Sequence, residues 1–368
     1  MAVSHVTGRA AFVAAPKRGS PVETAQPIEG IEIDGVTRWF EQHAPEGSGP
    51  LTFDLITGGH SNLTFKVSDT DGHQWVLRRP PLGQVLATAH DMAREYRIIT
   101  ALAPTDVPVP LTVGLCTDDE VNGSPFYVME LVEGTVVRDI SVGESLTVEQ
   151  RRGASESIID VLARIHAVDL DAIGLADLSR HDGYIERQLK RWYGQFESSK
   201  TRDLPVLDQV FESLMSEIPD QGPATIVHGD YRLDNCMIGD DGSIRAVLDW
   251  EICTLGDPLA DLGLLQVYWN DPDDPRPAAV GGATTLDGFL RRDQLVERYA
   301  QVSGRDLSNI DFYVAFGYWK LACIIEGVYA RYIGGAMGNR GTPGEFDFFG
   351  EQVVMLVESA RQAIGRLE

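Results

Sequence analysis

The alternation of apolar and polar residues changes near residue 133 and divides the chain into two parts. In the first part, short alternating runs are separated by turns such as Asp71-Gly72 and Asn122-Gly123, as expected for antiparallel strands. The predicted strands cover residues 51–57, 63–69, 74–80, 111–118 and 125–132. Helical spacing predicts one helix over 34–43, capped by Asp34, and another over about 90–103.

After Glu133-Gly134 the apolar positions fall mostly at helical spacing. Thr147 with Gln150 forms a capping box, which predicts the start of a long helix, and Ser308 with Asp311 forms a second candidate box. Further helices are predicted over residues 182–199, 205–218, 258–270, 286–303, 309–333 and 345–366. A small hairpin interrupts these helices, so the whole pattern predicts a fold of class α+β.

Composition limits the possible partners. The chain carries 31 lysines and arginines against 55 aspartates and glutamates, a net charge of −24, which argues against nucleic acid as a partner. The acidic surface suits a cationic ligand, or it serves only solubility. No apolar run approaches the roughly 18 residues that span a membrane, so no membrane partner is expected.

The cysteines and the first residues bear on the location of the protein. The four cysteines are scattered without a CxxC pair, as expected for reduced thiols in a cytoplasmic protein. They are Cys116, Cys236, Cys253 and Cys323. Residues 1–30 are predicted to be a flexible tail, because the apolar stretch at 10–15 is too short for a secretion signal. The pattern leaves the oligomeric state open.

A polar loop lies between two strand-like apolar runs in IVHGDYRLDNCMI, residues 226–238. Asp230 follows the first run, Asn235 comes five positions later, and Asp249 follows the next hairpin, which can bring all three to one end. Such oxygen ligands suit Mg²⁺ bound with substrate phosphates, and a remaining aspartate can accept a proton from a hydroxyl. This combination is typical of phosphoryl transfer. Alternatively, Asp230 and Asn235 only form turns by bonding their own backbone.

These residues carry a resemblance to a known family. HGDYRLDN (228–235), VLDWE (247–251) and GDPLADLG (256–263) resemble the catalytic segments of the aminoglycoside phosphotransferase and choline kinase-like family, relatives of the protein kinases. The resemblance covers about residues 51–330. It implies a two-lobed, protein-kinase-like α+β fold, with a small antiparallel-sheet lobe at 31–132 and a mainly helical lobe at 133–368.

The resemblance also implies residue roles. Asp230 would be the catalytic base, or would orient the acceptor hydroxyl, while Asn235 and Asp249 would hold Mg²⁺. His228 would be structural. The implied ATP-binding residues are those of the phosphate turn, the arginine on the third strand with its helix partner, and the connection between the lobes. They are Gly58, Gly59, His60, Ser61, Asn62, Arg78, Glu95, Glu130 and Leu131.

Several of these assignments have alternatives. The family usually has lysine where this chain has Arg78, and Arg79 could take its place. Arg78 and Glu95 could form a surface ion pair worth at most about 1 kcal/mol. Gly58 and Gly59 could serve a hairpin turn. Asp257 and Asp261 could cap a helix, and residues 312–320 are expected to be core, as is His166.

The sequence therefore predicts an ATP- and Mg²⁺-dependent kinase that phosphorylates a hydroxyl of a small molecule. The acceptor would be aminoglycoside-like, or hydroxyacyl-CoA-like, because VLRRPP (76–81) resembles a branch fused elsewhere to acyl-CoA dehydrogenases. Two other classes stay open. One is a nucleotide-binding pseudokinase, and the other is a metal-dependent hydrolase with His228 and Asp230 as ligands.

Overall fold

A computed structural model describes residues 28–44, 47, 49–56, 62–82, 91–274, 282–334, 344 and 346–367. The strands in these ranges are β1 (Thr52–Leu55), β2 (Leu63–Ser68), β3 (Gln74–Arg79), β4 (Thr112–Cys116), β5 (Phe126–Glu130), β6 (Thr225–Val227), β7 (Cys236–Ile238), β8 (Ile244–Val247) and β9 (Thr254–Gly256). The helices are α1 (Ile33–His43), α2 (Met92–Leu102), α3 (Asp119–Asn122), α4 (Ile140–Ser145), α5 (Val148–Ala167), α6 (Tyr184–Ser199), α7 (Pro205–Ser216), α8 (Leu259–Tyr268), α9 (Arg292–Ser303), α10 (Ile310–Ile333) and α11 (Asp347–Ile364).

The first five strands form one antiparallel sheet in the order β1-β2-β3-β5-β4. Side chains alternate along β2, where Phe65 and Val67 are buried and their neighbours are half-buried. Gly72, with φ of +93°, lies in the turn between β2 and β3, a backbone region that glycine adopts without strain. The predicted five-stranded antiparallel sheet is confirmed.

The outer face of the sheet packs against α1, which buries Val36, Trp39 and Phe40. A side-chain carbon at Gly114 of β4 would lie 3.0 Å from the Trp39 ring, so glycine is needed for this approach. The prediction that Asp34 caps the helix is wrong. The cap residue is Glu32, without a side-chain bond, and Asp34 lies in the first helical turn, where its charge suits the helix dipole.

The other face of the sheet packs against α2 and joins the core of the helical part. Helix α2 begins after Asp91, whose carboxylate accepts a hydrogen bond from Arg94 N at 2.9 Å. This helix carries Glu95 on its buried side. The first unit, from α1 to β5, is the small lobe, and the elements from α4 onward are the large lobe.

Helix α10 packs against α6, α8 and α11 in the large lobe, and α8 crosses α10 closely. A side-chain carbon at Gly263 would lie 2.4 Å from Tyr313 O, which only glycine avoids. The Thr147–Gln150 capping box is confirmed at the start of α5. The second predicted box is wrong, because the Ser308 hydroxyl donates to Asp306 and α10 begins at Ile310 without a side-chain cap.

Two small hairpin-like pairs hold the polar loop. The predicted hairpin is β7 paired with β8, and β6 pairs with β9, which the sequence did not predict. Among the described residues, no helix has both the length and the apolar character needed to span a membrane. The predicted lobe boundary at residues 132 and 133 stays a prediction, and most of the predicted tail lies outside the described residues.

Candidate active site

The polar loop is fixed from beneath by Asp261, which is fully buried on α8. Its two carboxylate oxygens accept hydrogen bonds from the backbone N–H of His228 at 2.6 Å and of Gly229 at 2.8 Å. Burial alone would raise the pKa of Asp261, but His166, His228 and the Gly229 N–H outweigh it and lower this pKa. Asp261 is therefore ionised and positions the loop. Its carboxylate contacts the loop and does not cap α8.

His228 is structural, as the sequence predicted. Its ring is fully buried beside Trp250, and Nε2 lies 3.0 Å from Leu248 O. Its Nδ1 accepts a hydrogen bond from Asp230 N at 3.3 Å. Because both ring nitrogens have backbone partners, His228 has no ring nitrogen left for a metal, and this argues against the hydrolase alternative.

The loop and the hairpin after it bring Asp230, Asn235 and Asp249 together. Asn235 Nδ2 donates to Asp230 Oδ2 at 3.0 Å and to Asp230 O at 2.8 Å. Leu248 N donates to Asn235 O at 2.8 Å, which places Asp249 next to Asn235. Asp249 has φ of +65°, a backbone conformation that non-glycine residues rarely adopt and that is often found at active sites.

The donor set of this cluster fits Mg²⁺. The amide nitrogen of Asn235 faces Asp230, so the amide oxygen is the atom available to a metal. Asp249 adds a carboxylate whose side chain is 32% exposed. Such hard oxygen ligands, few in number, suit Mg²⁺ when substrate phosphates complete its coordination.

Arg78 links the small lobe to this cluster. Its Nη1 lies 3.1 Å from Glu95 Oε1, and its Nη2 lies 2.5 Å from Asp249 Oδ1. The Glu95 side chain is 1% exposed, so the alternative of a surface ion pair is wrong. Arg79 points away from this cluster and donates to Gly30 O and Pro80 O. Arg78 is therefore the arginine at the cleft.

Burial opposes the charge of both residues of this pair, but neighbouring charges outweigh it only at Arg78. Burial opposes the charge of Arg78, but Glu95, Tyr127 and Asp249 outweigh it and raise the pKa of Arg78. Burial also raises the pKa of Glu95, to about 7, against the opposite effect of Arg78. Arg78 thus stays protonated, whereas Glu95 titrates near neutral pH.

A cleft of about 450 Å³ lies between the lobes and meets the cluster at one end. Its apolar walls include Val76 and Met129 from the sheet and Met237 and Val247 from the hairpin. Its polar end holds Asn62, Arg78, Asn235 and Asp249. An apolar cleft with a few polar groups at one end is expected of a small-molecule site between two domains.

The remaining predicted ATP-binding residues differ in position. Glu130 and Leu131 line the cleft, although the Glu130 N–H donates to Leu111 O at 2.8 Å and is therefore not available to a base. Asn62 also lines the cleft, and its Nδ2 donates to Glu251 at 3.1 Å. Gly58, Gly59, His60 and Ser61 lie outside the described residues.

Two residues beside Asp230 were missed by the sequence reasoning. Arg232 Nε lies 3.3 Å from Asp230 Oδ2, and its guanidinium lies 4.9 Å from the ring centre of Tyr268. Burial raises the pKa of Tyr268, and the charge of Asp230 and a hydrogen bond to it raise this pKa further. The signal for Arg232 was its position inside HGDYRLDN, but Tyr268 lies at the end of α8 without a local pattern.

The sheet-and-helix small lobe, the helical large lobe and the cleft between them define a protein of kinase-like fold. The sequence model of the phosphotransferase enzyme family matches residues 52–295, and the chain belongs to this family. It is a small-molecule kinase, as the sequence predicted, and the predicted α+β fold class is confirmed.

Three relatives illustrate the similarity. Acyl-CoA dehydrogenase family member 11 of Homo sapiens is 32% identical over 91% of this chain and 43% of its own length. A crystal structure from Ralstonia eutropha JMP134, provisionally named an aminoglycoside phosphotransferase, is 31% identical with a TM-score of 0.78, covering 91% of this chain and 99% of that one. The GDP and kanamycin complex of an aminoglycoside 2″-phosphotransferase is 15% identical with a TM-score of 0.58, covering 89% and 98% of the two chains.

The chain spans less than half of the length of three curated relatives that it matches, with shares of 27%, 41% and 43%. At 15% identity, the kanamycin-bound structure supports the fold alone.

Proposed function

We propose that this chain transfers the γ-phosphoryl group of ATP to a hydroxyl group of a small molecule, with Asp230 accepting or orienting the hydroxyl proton. The observation that carries the proposal is the cluster of Asp230, Asn235 and Asp249 at the polar end of the interlobe cleft. Phosphoryl transfer needs little beyond positioning and charge stabilisation, and these residues supply both.

In this mechanism the base of ATP lies between the apolar walls of the cleft, along Glu130 and Leu131. Arg78 contacts the phosphates, held in place by Glu95. Asn235 and Asp249 would hold Mg²⁺, which neutralises phosphate charge when bound. Arg232, 3.3 Å from the Asp230 carboxylate, adds a fixed cation where the acceptor and the phosphoryl group meet.

The pseudokinase alternative is less well supported. It predicts that at least one of the three chemical positions is lost, whereas Asp230, Asn235 and Asp249 are all present and in contact or adjacent. Asp249 also has a strained φ of +65°. This backbone conformation costs about 1–3 kcal/mol and persists only when the surrounding structure enforces it. The strain is more easily understood if it serves a site in use.

For the acceptor, the charges beside Asp230 are mixed, because Arg232 lies between two carboxylates, 3.3 Å from Asp230 and 3.4 Å from Asp234. The segment VLRRPP (76–81) and the 32% identity to acyl-CoA dehydrogenase family member 11 over 91% of this chain instead favour a hydroxyacyl-CoA thioester. We therefore favour the hydroxyacyl-CoA-like acceptor over the aminoglycoside-like one, and we keep a cytoplasmic location as part of this proposal.

The test is an ATP-consumption screen with Mg²⁺ and the purified chain. Acceptor arms contain aminoglycosides, choline-like amines, sugars and hydroxyacyl-CoA thioesters. Turnover is expected with the hydroxyacyl-CoA arm. The variant Asp230→Asn is expected to lose on the order of 10²–10⁴-fold in rate, because asparagine cannot accept the proton.

The matched control is Asp241→Asn, the same chemical change at an exposed hairpin turn. It is expected to leave the rate unchanged. Full turnover by Asp230→Asn would remove Asp230 from the mechanism. Turnover confined to the aminoglycoside arm would keep the kinase proposal and overturn the choice of acceptor.

A further inference from the structure

One charged residue is buried in the apolar helix α10. Lys320 ends the run FYVAFGYWK and is 7% exposed, among otherwise aromatic and aliphatic neighbours. Its ammonium group lies 5.6 Å from the ring centre of Trp192 on α6, and Nζ donates to the backbone oxygen of Gly229 at 2.9 Å. This interaction joins α10 to the peptide that carries the catalytic aspartate.

The peptide between Gly229 and Asp230 is held on both sides. Lys320 binds its carbonyl oxygen, and the Asp230 N–H donates to His228 Nδ1 at 3.3 Å. Asp261 binds the preceding N–H, that of Gly229. Gly229 itself has φ of +88° and, as glycine, could adopt many other conformations. The orientation of this peptide is therefore set by the groups around it.

The position of Lys320 is not explained by stability. Lysine is almost never fully buried unless it is paired, and removing its charge from water is costly. Burial lowers the pKa of Lys320, while Asp230 and Asp261 act in the opposite direction. A charged and an uncharged amine both carry N–H groups, so the bond to Gly229 O does not depend on the protonation state.

We infer that Lys320 is a positioning residue for phosphoryl transfer, because it fixes the Gly229–Asp230 peptide and thereby aims the Asp230 carboxylate at the acceptor. This inference rests on the proposed function. It assigns no contact between Lys320 and the nucleotide, because the described residues that line the cleft include none from α10. Its loss should therefore slow turnover without weakening nucleotide binding.

The experiment compares wild type, Lys320→Met and Lys320→Arg. Methionine keeps the length and the packing against Trp192 but cannot donate, whereas arginine keeps a donor. The assay is Mg²⁺-dependent ATP hydrolysis with water as acceptor, expressed per nucleotide site titrated with ADP. Misplacing a catalytic group by about 1 Å can cost on the order of 10²-fold, so Lys320→Met is expected to lower kcat by about 10–100-fold.

For Lys320→Met we expect KM for ATP and Kd for ADP within about twofold of wild type, and Lys320→Arg should recover part of kcat. Phe312→Leu, in the same helix and 1% exposed, is the control for lost stability alone, with an expected wild-type kcat per site. An unchanged kcat in Lys320→Met, or a parallel loss of ADP binding, would overturn the inference.

A second measurement separates this inference from the proposed function. If wild type hydrolyses no ATP, the crystal structure of Lys320→Met with Mg²⁺ and a non-hydrolysable ATP analogue still tests positioning. The inference predicts a rotated Gly229–Asp230 peptide and loss of the Asp230–His228 bond. An unmoved peptide would reject Lys320 as a positioning residue. Lys320→Leu, which also lacks a donor, serves in the same experiment if the methionine variant does not fold.

Discussion

Replacing Arg78 by methionine tests whether the two lobes are joined by a buried charge network. In the wild type, Arg78 lies 3.1 Å from Glu95 and 2.5 Å from Asp249. Methionine removes this cation from beside the carboxylate of Glu95, whose side chain is only 1% exposed. Breaking a buried pair in this way typically costs about 3–5 kcal/mol, against at most about 1 kcal/mol for an exposed pair.

The loss of folding stability in Arg78→Met is expected to depend on pH, and to be larger at high pH. Burial holds the pKa of Glu95 at about 7, above its ordinary value, so the folded state binds a proton more strongly than the unfolded state. The corresponding stabilisation is complete below the ordinary pKa and is lost as pH rises through about 7. Arg78 lowers this pKa, so the methionine variant raises it further and is destabilised more at high pH.

The measurement is urea unfolding at pH 6 and pH 8, followed by tryptophan fluorescence. We expect Arg78→Met to lower the free energy of unfolding by about 3–5 kcal/mol at pH 8, and by about 1–2 kcal/mol less at pH 6, where Glu95 is protonated. The double variant Arg78→Met/Glu95→Gln should regain most of the loss at pH 8. A loss below about 1 kcal/mol at both pH values, with no relief from Glu95→Gln, would refute the network.

Two further predictions concern the cluster and its support. Asp249→Asn should raise the Mg²⁺ concentration for half-maximal ATP turnover at least about tenfold, because a neutral amide replaces a ligand charge; an unchanged Mg²⁺ titration would contradict its role. Asp261→Asn should lower the free energy of unfolding by about 2–3 kcal/mol and slow turnover, because one amide oxygen cannot accept from both His228 N and Gly229 N. Urea unfolding and the ATPase assay measure both effects, and wild-type values would show that Asp261 does not position the loop.

The elements that sequence reasoning located well are those whose signals are local. Strand β2 alternates in burial, and Gly72 marks the turn between β2 and β3. The elements it missed lack such a signal. Strand β9 has three residues, too few for a period. Helix α9 was predicted from residue 286 but begins at Arg292, because Gly288 has φ of +102° and interrupts the helical backbone.

The contacts within the site also divide into local ones, which a sequence pattern can predict, and long-range ones. Asp230 and Asn235 are five positions apart, so their contact follows from the loop that contains them. The contact of Arg78 with Asp249 spans 171 positions, and that of Lys320 with Gly229 spans 91. Contacts of that range depend on how the lobes and helices pack. A sequence pattern can name Arg78 through a resemblance, but it gives no reason to separate Lys320 from the core residues around it.

The same distinction limits what net charge can say about the acceptor. The charge of −24 is a property of the whole surface, and salt screens such charges beyond about 8–10 Å. Within contact distance of the loop, the chain places Arg232 against Asp230 and Lys320 against Gly229, and buried groups of this kind are screened much less. Arg232 itself lies between the carboxylates of Asp230 and Asp234, so charges of both signs lie beside the loop. An acceptor meets these nearby charges first, and the net charge of the whole surface does not by itself select a cationic substrate.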